Sequence, residues 1–291
     1  MEWEGKETSD NVEDTRGMKR TGLIAGGGIG AIVIGLLAAY FGIDPKQAQQ
    51  LANGLAGQGR GGQEQAAIDD KTSEFSKTIM GMTEKVWTEE FKKNGYRPYQ
   101  FPKMRLFRDQ VDTGCGTAPS AVGPFYCTAD KKVYLDFSFF DELQDRLGGS
   151  KADFSKAYVI THEVGHHVQN LLGYSELVDR ARGTKREKEM SVRLELQADY
   201  LAGVWAYHAE KKYHILQPGD IKSAMETANA IGDDKLQKNA RGWVSPESFT
   251  HGTSAQRAKY FSDGLKTGDA SKSRLDRFFT VPFRNGQLVD P

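Results

Sequence analysis

The sequence predicts an α+β fold in which an N-terminal transmembrane helix precedes a helix-rich domain with a small sheet. Three observations predict it: an apolar run over residues 22–43, long segments with apolar residues at helical spacing, and only a few short segments typical of strands. The formal net charge is zero, and the basic residues are interspersed with acidic ones. Nothing in this distribution indicates a nucleic-acid partner.

The N-terminal part of the chain is predicted to contain a leader, a membrane span and a linker. Residues 1–21 are polar, residues 22–43 contain no charged side chain, and residues 44–70 are rich in Gln, Gly and Ala. A helix over the apolar run, at ~1.5 Å per residue, matches the ~30 Å hydrocarbon core of a lipid bilayer. The third segment has the composition of a flexible linker.

The charges beside the apolar run predict its orientation. Because Lys19 and Arg20 precede the run, the positive-inside rule keeps the leader in the cytoplasm and exports the rest of the chain. We therefore expect a single-pass inner-membrane protein with a cytoplasmic N-terminus and a periplasmic or extracellular domain. A cleavable signal peptide is the alternative, but the run is too long for the apolar core of such a peptide.

Residues 71–291 suit one domain. Apolar spacing and capping residues predict helices over residues 72–93, 153–172, 190–212, 218–231 and 254–266. Short β-type segments predict strands over residues 103–107, 123–127 and 132–136. A charged linker is expected over residues 180–189, and an irregular tail after the last helix.

The predicted helix over residues 153–172 contains the pattern H-E-x-x-H at His162, Glu163 and His166. Positions i and i+4 share one helix face, so the two imidazoles can bind one zinc ion. Glu163 can reach a water molecule bound to that ion, accept its proton and pass it to a leaving amine. These residues predict metal-assisted hydrolysis of a peptide bond. The alternative is an exposed helix with three polar residues.

A catalytic zinc site needs one more protein ligand. The metzincin pattern would require Gly at position 169 and His at position 172, where the chain has Gln169 and Leu172. Glu195 and Asp199 are one turn apart within an apolar-rich run, where unpaired carboxylates would be costly. We therefore predict Glu195 as the third ligand and Asp199 as the acceptor of the free N–H of a ligating histidine. The alternative is a solvated pair of carboxylates.

Over nearly its whole length the chain resembles the neutral zinc metallopeptidases of bacterial membranes, which are of the wider gluzincin-like zincin type. The resemblance extends over residues 9–17, 115–127, 162–169, 195–199 and 251–257. It implies a zincin-like, membrane-anchored metallopeptidase domain that uses Zn²⁺. It implies His162, His166 and Glu195 as ligands and Glu163 as general base, and it implies no particular substrate.

His251 lies on a predicted loop before the helix over residues 254–266. In zincins, an oxyanion is stabilised by the metal and one further donor, often His or Tyr. His251 can be that donor, or it can bond to Asp199 or another carboxylate and brace the site. A surface histidine is the third possibility, and the resemblance favours a place in the site. His167 points away from its two neighbours, which predicts a structural role.

The two cysteines, Cys115 and Cys127, lie in a segment rich in Gly and Pro that can fold back on itself. In an oxidising compartment they are expected to form one disulfide, and in the cytosol they would be free thiols. A zinc site built from them is unfavoured because their spacing is long and no second pair exists.

The sequence thus predicts a membrane-anchored zinc endopeptidase that acts on a protein or peptide. Such enzymes bind an extended substrate by adding it to a sheet edge, which we place over residues 122–127. The alternative is a non-catalytic envelope protein that holds zinc for a structural or regulatory role. Glu163 favours the enzyme, because a structural zinc site has no use for a carboxylate beside an open position.

Overall fold

The computed structural model describes residues 1–17, 70–284 and 287–289 of the chain. The predicted transmembrane helix, residues 22–43, lies outside these residues, as does the predicted linker up to residue 69. Within the described part of the chain, no helix is both long enough and apolar enough to cross a bilayer.

Helices form most of the described structure, and the strands are short. The helices are α1 Asp70–Lys93, α2 Ser138–Leu147, α3 Asp153–Leu172, α4 Tyr174–Ala181, α5 Glu187–Tyr213, α6 Asp220–Ala230, α7 Asp233–Arg241, α8 Ser254–Thr267 and α9 Lys272–Thr280. The strands are β1 Val12–Asp14, β2 Lys103–Leu106, β3 Gln110–Thr113, β4 Gly116–Pro119, β5 Phe125–Cys127, β6 Lys132–Leu135, β7 Phe283–Arg284 and β8 Gln287–Leu288. This architecture confirms the predicted helix-rich α+β class.

The main sheet has the strand order β1-β2-β6-β5. β1 and β2 are parallel, as are β2 and β6, whereas β5 runs antiparallel to β6 with Phe125 opposite Tyr134. β5 is therefore an edge strand, and it lies within the segment for which an edge was predicted. Two separate hairpins, β3–β4 and β7–β8, complete the described strands.

Residues 1–17 contact the domain that was predicted to begin at residue 71. They were expected to form a leader separate from a domain that begins at residue 71. Instead, β1 pairs with β2, with Val12 opposite Met104. Trp3 is only 7% exposed and belongs to the same apolar core as Phe75 of α1. The first residues are therefore part of the folded domain. A strand of three residues is too short for an alternation of apolar and polar side chains to predict it from the sequence.

Other differences lie in segments predicted as irregular. The expected charged linker over residues 180–189 contains the end of α4 and the start of α5, and the expected irregular tail contains α9 and the β7–β8 hairpin. Helices α2 and α7 were not predicted. All are short or polar elements, for which the apolar spacing of a sequence is a weak signal.

Glycine permits the close packing of the three helices around the site. An added Cβ at Gly165 of α3 would lie 3.1 Å from the carbonyl oxygen of Ala198 on α5. An added Cβ at Gly264 of α8 would lie 2.0 Å from the carbonyl oxygen of Tyr200, also on α5. The helices thus approach each other along their backbones, which places polar side chains of α3, α5 and α8 within hydrogen-bonding distance.

Candidate active site

His162 and His166 lie on one face of α3, with their ring centroids 4.8 Å apart. The helix has the predicted bounds and ends at Leu172, where Gly173 adopts the left-handed conformation (φ 85°) that stops it. His162 is buried at 6% exposure, so α3 presents this face to the protein interior.

Glu195 of α5 faces both imidazoles. Its Oε2 lies 3.3 Å from Nε2 of His162, and its Oε1 lies 3.4 Å from Nε2 of His166. The potential ligand atoms of the three residues lie within 4.8 Å of one another. Burial raises the pKa of the Glu195 carboxyl, but the imidazole of His166 and then that of His162 hold it well below its usual value. Two nitrogen donors and one carboxylate form a set that fits Zn²⁺.

Asp199 accepts a hydrogen bond from the other nitrogen of His162, at 2.8 Å from Nδ1. Tyr158 donates to the same carboxylate at 2.6 Å, and Arg257 of α8 contacts both oxygens at 2.9 and 3.0 Å. Burial raises the pKa of the Asp199 carboxyl, but the Arg257 charge, followed by His162, lowers it below its usual value. The carboxylate therefore stays ionised and holds the His162 proton on Nδ1, which leaves Nε2 directed towards Glu195.

His166 has a different partner, Gln169 on the next turn of α3. The amide Oε1 of Gln169 lies 2.8 Å from Nδ1 of His166. Its Nε2 donates to the carbonyl oxygen of Leu194 at 2.6 Å and to Oε1 of Gln197 at 3.0 Å. From the sequence alone, Gln169 served only to exclude the metzincin pattern. A polar amide one turn after the second histidine of the motif was the available signal.

His251 lies on the loop before α8 and is anchored by Asp233 at the start of α7. Asp233 Oδ1 lies 3.1 Å from Nδ1 of His251, while Oδ2 accepts the backbone N–H groups of Thr250, His251 and Gly252 at 2.7, 2.6 and 3.0 Å. Burial lowers the pKa of the His251 imidazole, but the hydrogen bond to Asp233 and the charge of Glu195 raise it overall. The structure therefore places His251 near Glu195 but outside the three-residue ligand cluster.

The carboxylate of Glu163 stands apart from these networks. Glu163 is only 8% exposed. No described residue donates a hydrogen bond to its carboxylate or forms an ion pair with it. Its oxygens are not among the fully buried polar atoms without a partner, so a water molecule in the site can reach them.

His167 holds the edge strand against α3. Its Nε2 donates to the carbonyl oxygen of Gln100 at 2.6 Å, and its Nδ1 accepts from the hydroxyl of Tyr126 on β5 at 2.9 Å. Burial lowers the pKa of the imidazole to about 4, which keeps it neutral and suits both bonds. This geometry agrees with the structural role predicted for His167.

Cys115 and Cys127 are joined in a disulfide that links the turn of the β3–β4 hairpin to the edge strand β5. The structure thus brings together His162, His166, Glu195 and Asp199, with Glu163 and His251 beside them. Sequence reasoning assigned no role to Asp233, Tyr158 or Arg257. The available signal for Arg257 was its place in the segment over residues 251–257, and Asp233 gave none.

Comparison with known proteins relates this geometry to a family. The protein-family model described as "Putative neutral zinc metallopeptidase" matches residues 1–276 of the chain. The chain is 40% identical over 288 residues to the uncharacterized protein YpfJ of Escherichia coli strain K12, which covers 94% of this chain and 97% of that protein. It is 48% identical over 181 residues to the uncharacterized protein Rv2575 of Mycobacterium tuberculosis strain H37Rv, and this match covers 59% of this chain and 61% of that protein.

No solved structure matches the chain. The family match includes the ligand residues on α3 and α5 and also the N-terminal strand β1. Zn²⁺ is the metal of this family, and the cluster of His162, His166 and Glu195 can hold it. The chain therefore belongs to the neutral zinc metallopeptidase family.

Proposed function

We propose that the protein is a zinc-dependent endopeptidase that hydrolyses peptide bonds with Glu163 as general base. The observation that supports this proposal best is the position of Glu163. It follows His162 directly on α3, is nearly buried, and has no partner among the described residues. A zinc site that served only folding would be closed by a fourth ligand and would gain nothing from such a carboxylate.

His162, His166 and Glu195 would hold the metal through two nitrogen atoms and one carboxylate. A bound zinc ion lowers the pKa of its water ligand to about 7 and polarises a substrate carbonyl. Asp199 and Gln169 keep the Nδ1 protons of the two histidines in place, so that both Nε2 atoms stay available as donors.

Glu163 performs the proton transfers. Its carboxylate accepts a proton as the water oxygen attacks the carbonyl carbon of the scissile peptide bond. It then passes that proton to the nitrogen of the leaving peptide as the C–N bond breaks. Proton transfer by a positioned side chain contributes about 10²–10⁴-fold to rate.

His251 is suited to stabilise the oxyanion that develops on the substrate carbonyl. Asp233 accepts a hydrogen bond from its Nδ1 and also fixes the backbone of its loop, which sets the orientation of the ring. The raised pKa favours the protonated imidazole, which donates from both nitrogens. One such donor is worth about 10²–10³-fold in kcat.

The edge strand β5 is suited to bind the substrate backbone. It packs on α3 through Tyr126, and its side away from β6 has no neighbouring strand in the described sheet. An extended peptide added there would run beside the helix that contains Glu163. The substrate is therefore proposed to be a protein segment or peptide in extended conformation.

The deciding experiment compares the full chain with its Glu163→Gln variant. We expect both proteins to bind zinc with equal stoichiometry, whereas cleavage of a peptide library falls by at least about 10²-fold in the variant. Glu176→Gln is the matched control, because Glu176 is an exposed glutamate of α4 and its replacement should leave both properties unchanged. Zinc bound by the wild-type chain without any cleavage that depends on Glu163 would favour the non-catalytic envelope protein.

The proposed compartment is outside the cytoplasm. The Cys115–Cys127 disulfide supports it, since structural disulfides persist in oxidising compartments. The apolar composition of residues 22–43 supports contact with the lipid bilayer of the inner membrane. Alkylation of an unreduced membrane fraction tests the compartment: two readily labelled thiols in the denatured chain would contradict it.

A further inference from the structure

The N-terminal arm, residues 1–17, is bonded to the sheet through residues 11–15. β1 lies parallel to β2, and the flanking residues extend the pairing. Met104 donates its N–H to the carbonyl oxygen of Asn11 at 2.8 Å, and Thr15 donates to that of Leu106 at 2.9 Å. Glu13 forms ion pairs with Arg105 at 2.7 Å and with Lys132 at 3.2 Å. The arm therefore supplies a whole edge of the main sheet.

The arm also packs into the core. The indole of Trp3 meets the ring of Phe75 edge-on at 5.3 Å between centroids. Ser9 donates its N–H to the carbonyl oxygen of Lys77 at 2.9 Å, and its hydroxyl donates to Glu84. An added Cβ at Gly81 of α1 would lie only 2.7 Å from the carbonyl oxygen of Glu7. Only glycine at this position lets the arm lie directly on the helix.

The arm contacts both helices that present the metal ligands. Trp3 Nε1 donates to Asp153, the first residue of α3, at 2.9 Å. Lys6 donates to the carbonyl oxygen of Tyr213, the last residue of α5, at 3.2 Å. Glu2 donates its N–H to the carbonyl oxygen of Ile215 just beyond it, at 2.8 Å. The arm thus ties one end of α3 to one end of α5.

Strand pairing and side-chain packing of this kind cannot extend across a hydrocarbon core of about 30 Å. We infer that residues 1–17 and the zinc domain occupy the same compartment. The positive-inside rule predicts that the arm and the domain lie on opposite sides of the bilayer, and the inferred arrangement differs from that expectation in the side on which the arm lies.

Accessibility of two new cysteines in the full chain tests this inference. Glu4 in the arm and Glu176 on α4 have side chains that are 74% and 72% exposed, so Glu4→Cys and Glu176→Cys should leave the fold intact. A membrane-impermeant maleimide is applied to intact cells and to permeabilised cells, with the parent chain as background for Cys115 and Cys127. We expect the two positions to label to the same extent under each condition. Labelling of one position in intact cells and of the other only after permeabilisation would overturn the inference.

A cross-link tests the sheet itself in the membrane fraction. Glu13 and Arg105 lie directly opposite each other in β1 and β2. Mild oxidation should therefore join Glu13→Cys to Arg105→Cys within the full chain, while either single variant gives no such cross-link. No cross-link in the double variant, when its new thiols are reactive, would show that the arm is not paired with β2.

Gln169 of α3 lies between His166 and the backbone of α5. Its side chain is fully buried, and its amide can bond to its neighbours in one orientation only. Nε2 must face the carbonyl oxygen of Leu194, because a carbonyl accepts and never donates. Oε1 must then face His166, where it accepts the proton of Nδ1 at 2.8 Å. Gln169 thereby determines which nitrogen of His166 is protonated.

We propose that Gln169 is the positioning residue for His166, as Asp199 is for His162, and that it keeps Nε2 of His166 free as a metal donor. This proposal rests on the metal group of the proposed function but not on peptidase activity. The two ligand histidines would then have different hydrogen-bond acceptors at Nδ1: an ionised carboxylate for His162 and a neutral amide for His166. Loss of such a partner typically costs about 10–100-fold in metal affinity.

Zinc affinity of three full-length proteins tests the role of Gln169. Gln169→Met keeps the volume but removes the acceptor, and we expect zinc to bind about 10–100-fold more weakly, with folding in excess zinc unchanged. Gln169→Glu restores an acceptor and should recover affinity relative to Gln169→Met. The matched control is Gln197→Met, which removes a partner of Gln169 but no contact with His166. Equal zinc loss in Gln169→Met and Gln197→Met, or none in either, would overturn the proposal; lack of cleavage by the wild-type chain would not.

Discussion

The metal centre and the N-terminal arm are held in the molecule by different kinds of contact. In the centre, ligands and their partners come from nearby segments: His162 and Asp199 are 37 residues apart, and His166 and Gln169 are three apart. In the arm, the bonds span long stretches of chain, such as the 150 residues between Trp3 and Asp153. Changes in the centre should therefore affect metal binding and rate, whereas changes in the arm should affect stability.

The largest effect is expected from Glu195→Ala, compared with Asp199→Ala. Loss of a ligand should leave the first variant almost free of metal after mild chelation. Asp199→Ala removes a partner of His162 and should weaken zinc binding by about 10–100-fold, with some activity recovered in excess metal. Zinc stoichiometry and affinity of both variants are the measurements.

The reverse order of severity would make Asp199 the ligand instead of Glu195. Full zinc occupancy in both variants would mean that the third ligand lies elsewhere, with His251 the first residue to test. Asp199→Ala also leaves Arg257 buried without its carboxylate, so its stability has to be measured separately.

The next effect is expected from His251→Phe. Removal of an oxyanion donor should lower kcat by about 10²–10³-fold while zinc stays bound at full stoichiometry. Asp233→Asn should lower kcat less, because it weakens the anchoring of His251 and keeps the imidazole. Loss of zinc in His251→Phe, with an unchanged kcat at saturating metal, would assign His251 to metal binding and contradict the proposed role.

In the arm, Trp3→Ala is expected to destabilise the fold by about 3 kcal/mol, because it empties a nearly buried site in the core. Zinc affinity of the folded variant should stay close to that of the wild type. Trp243→Ala is the control: that indole is 58% exposed, and its loss should change the free energy of unfolding by no more than about 0.5 kcal/mol. Urea unfolding measures both, and equal effects would show that the arm is not packed in the core.

The smallest effect is expected from Glu13→Gln. The hydrogen bond from Arg105, with the nearby Lys132, lowers the pKa of the Glu13 carboxyl below its usual 4.5. The carboxylate therefore stabilises the fold above the unfolded pKa, and this contribution is lost as pH falls through the folded pKa. The free energy of unfolding of the wild type should exceed that of the variant by less than about 1 kcal/mol at neutral pH, and the two should be equal in acid. Unfolding curves over that pH range, with Glu176→Gln as control, measure the difference.

The same contrast explains which features could be predicted from the sequence. α3 was predicted with its correct bounds, because apolar spacing and Gly173 are local signals. Glu195 and Asp199 were predicted from their one-turn spacing in an apolar run. Gln169 was not assigned a role, although its spacing from His166 on the same helix is a local signal. Asp233 was not assigned, because its contact with His251 forms only after α7 and the loop before α8 have packed together. β1 was missed for the same reason, because its partner strand lies about ninety residues later in the chain.

The contact between Gly165 and Ala198 has a consequence for recognising related proteins. An added Cβ at position 165 would lie 3.1 Å from the backbone of α5, so α3 and α5 would have to shift by a few tenths of an ångström relative to each other. The two middle positions of H-E-x-x-H thus differ in what they contact: Val164 is buried in the apolar core, whereas Gly165 lies against the backbone of α5. Genome searches for this kind of centre should use the stricter signature H-E-x-G-H, followed by E-x-x-A-D.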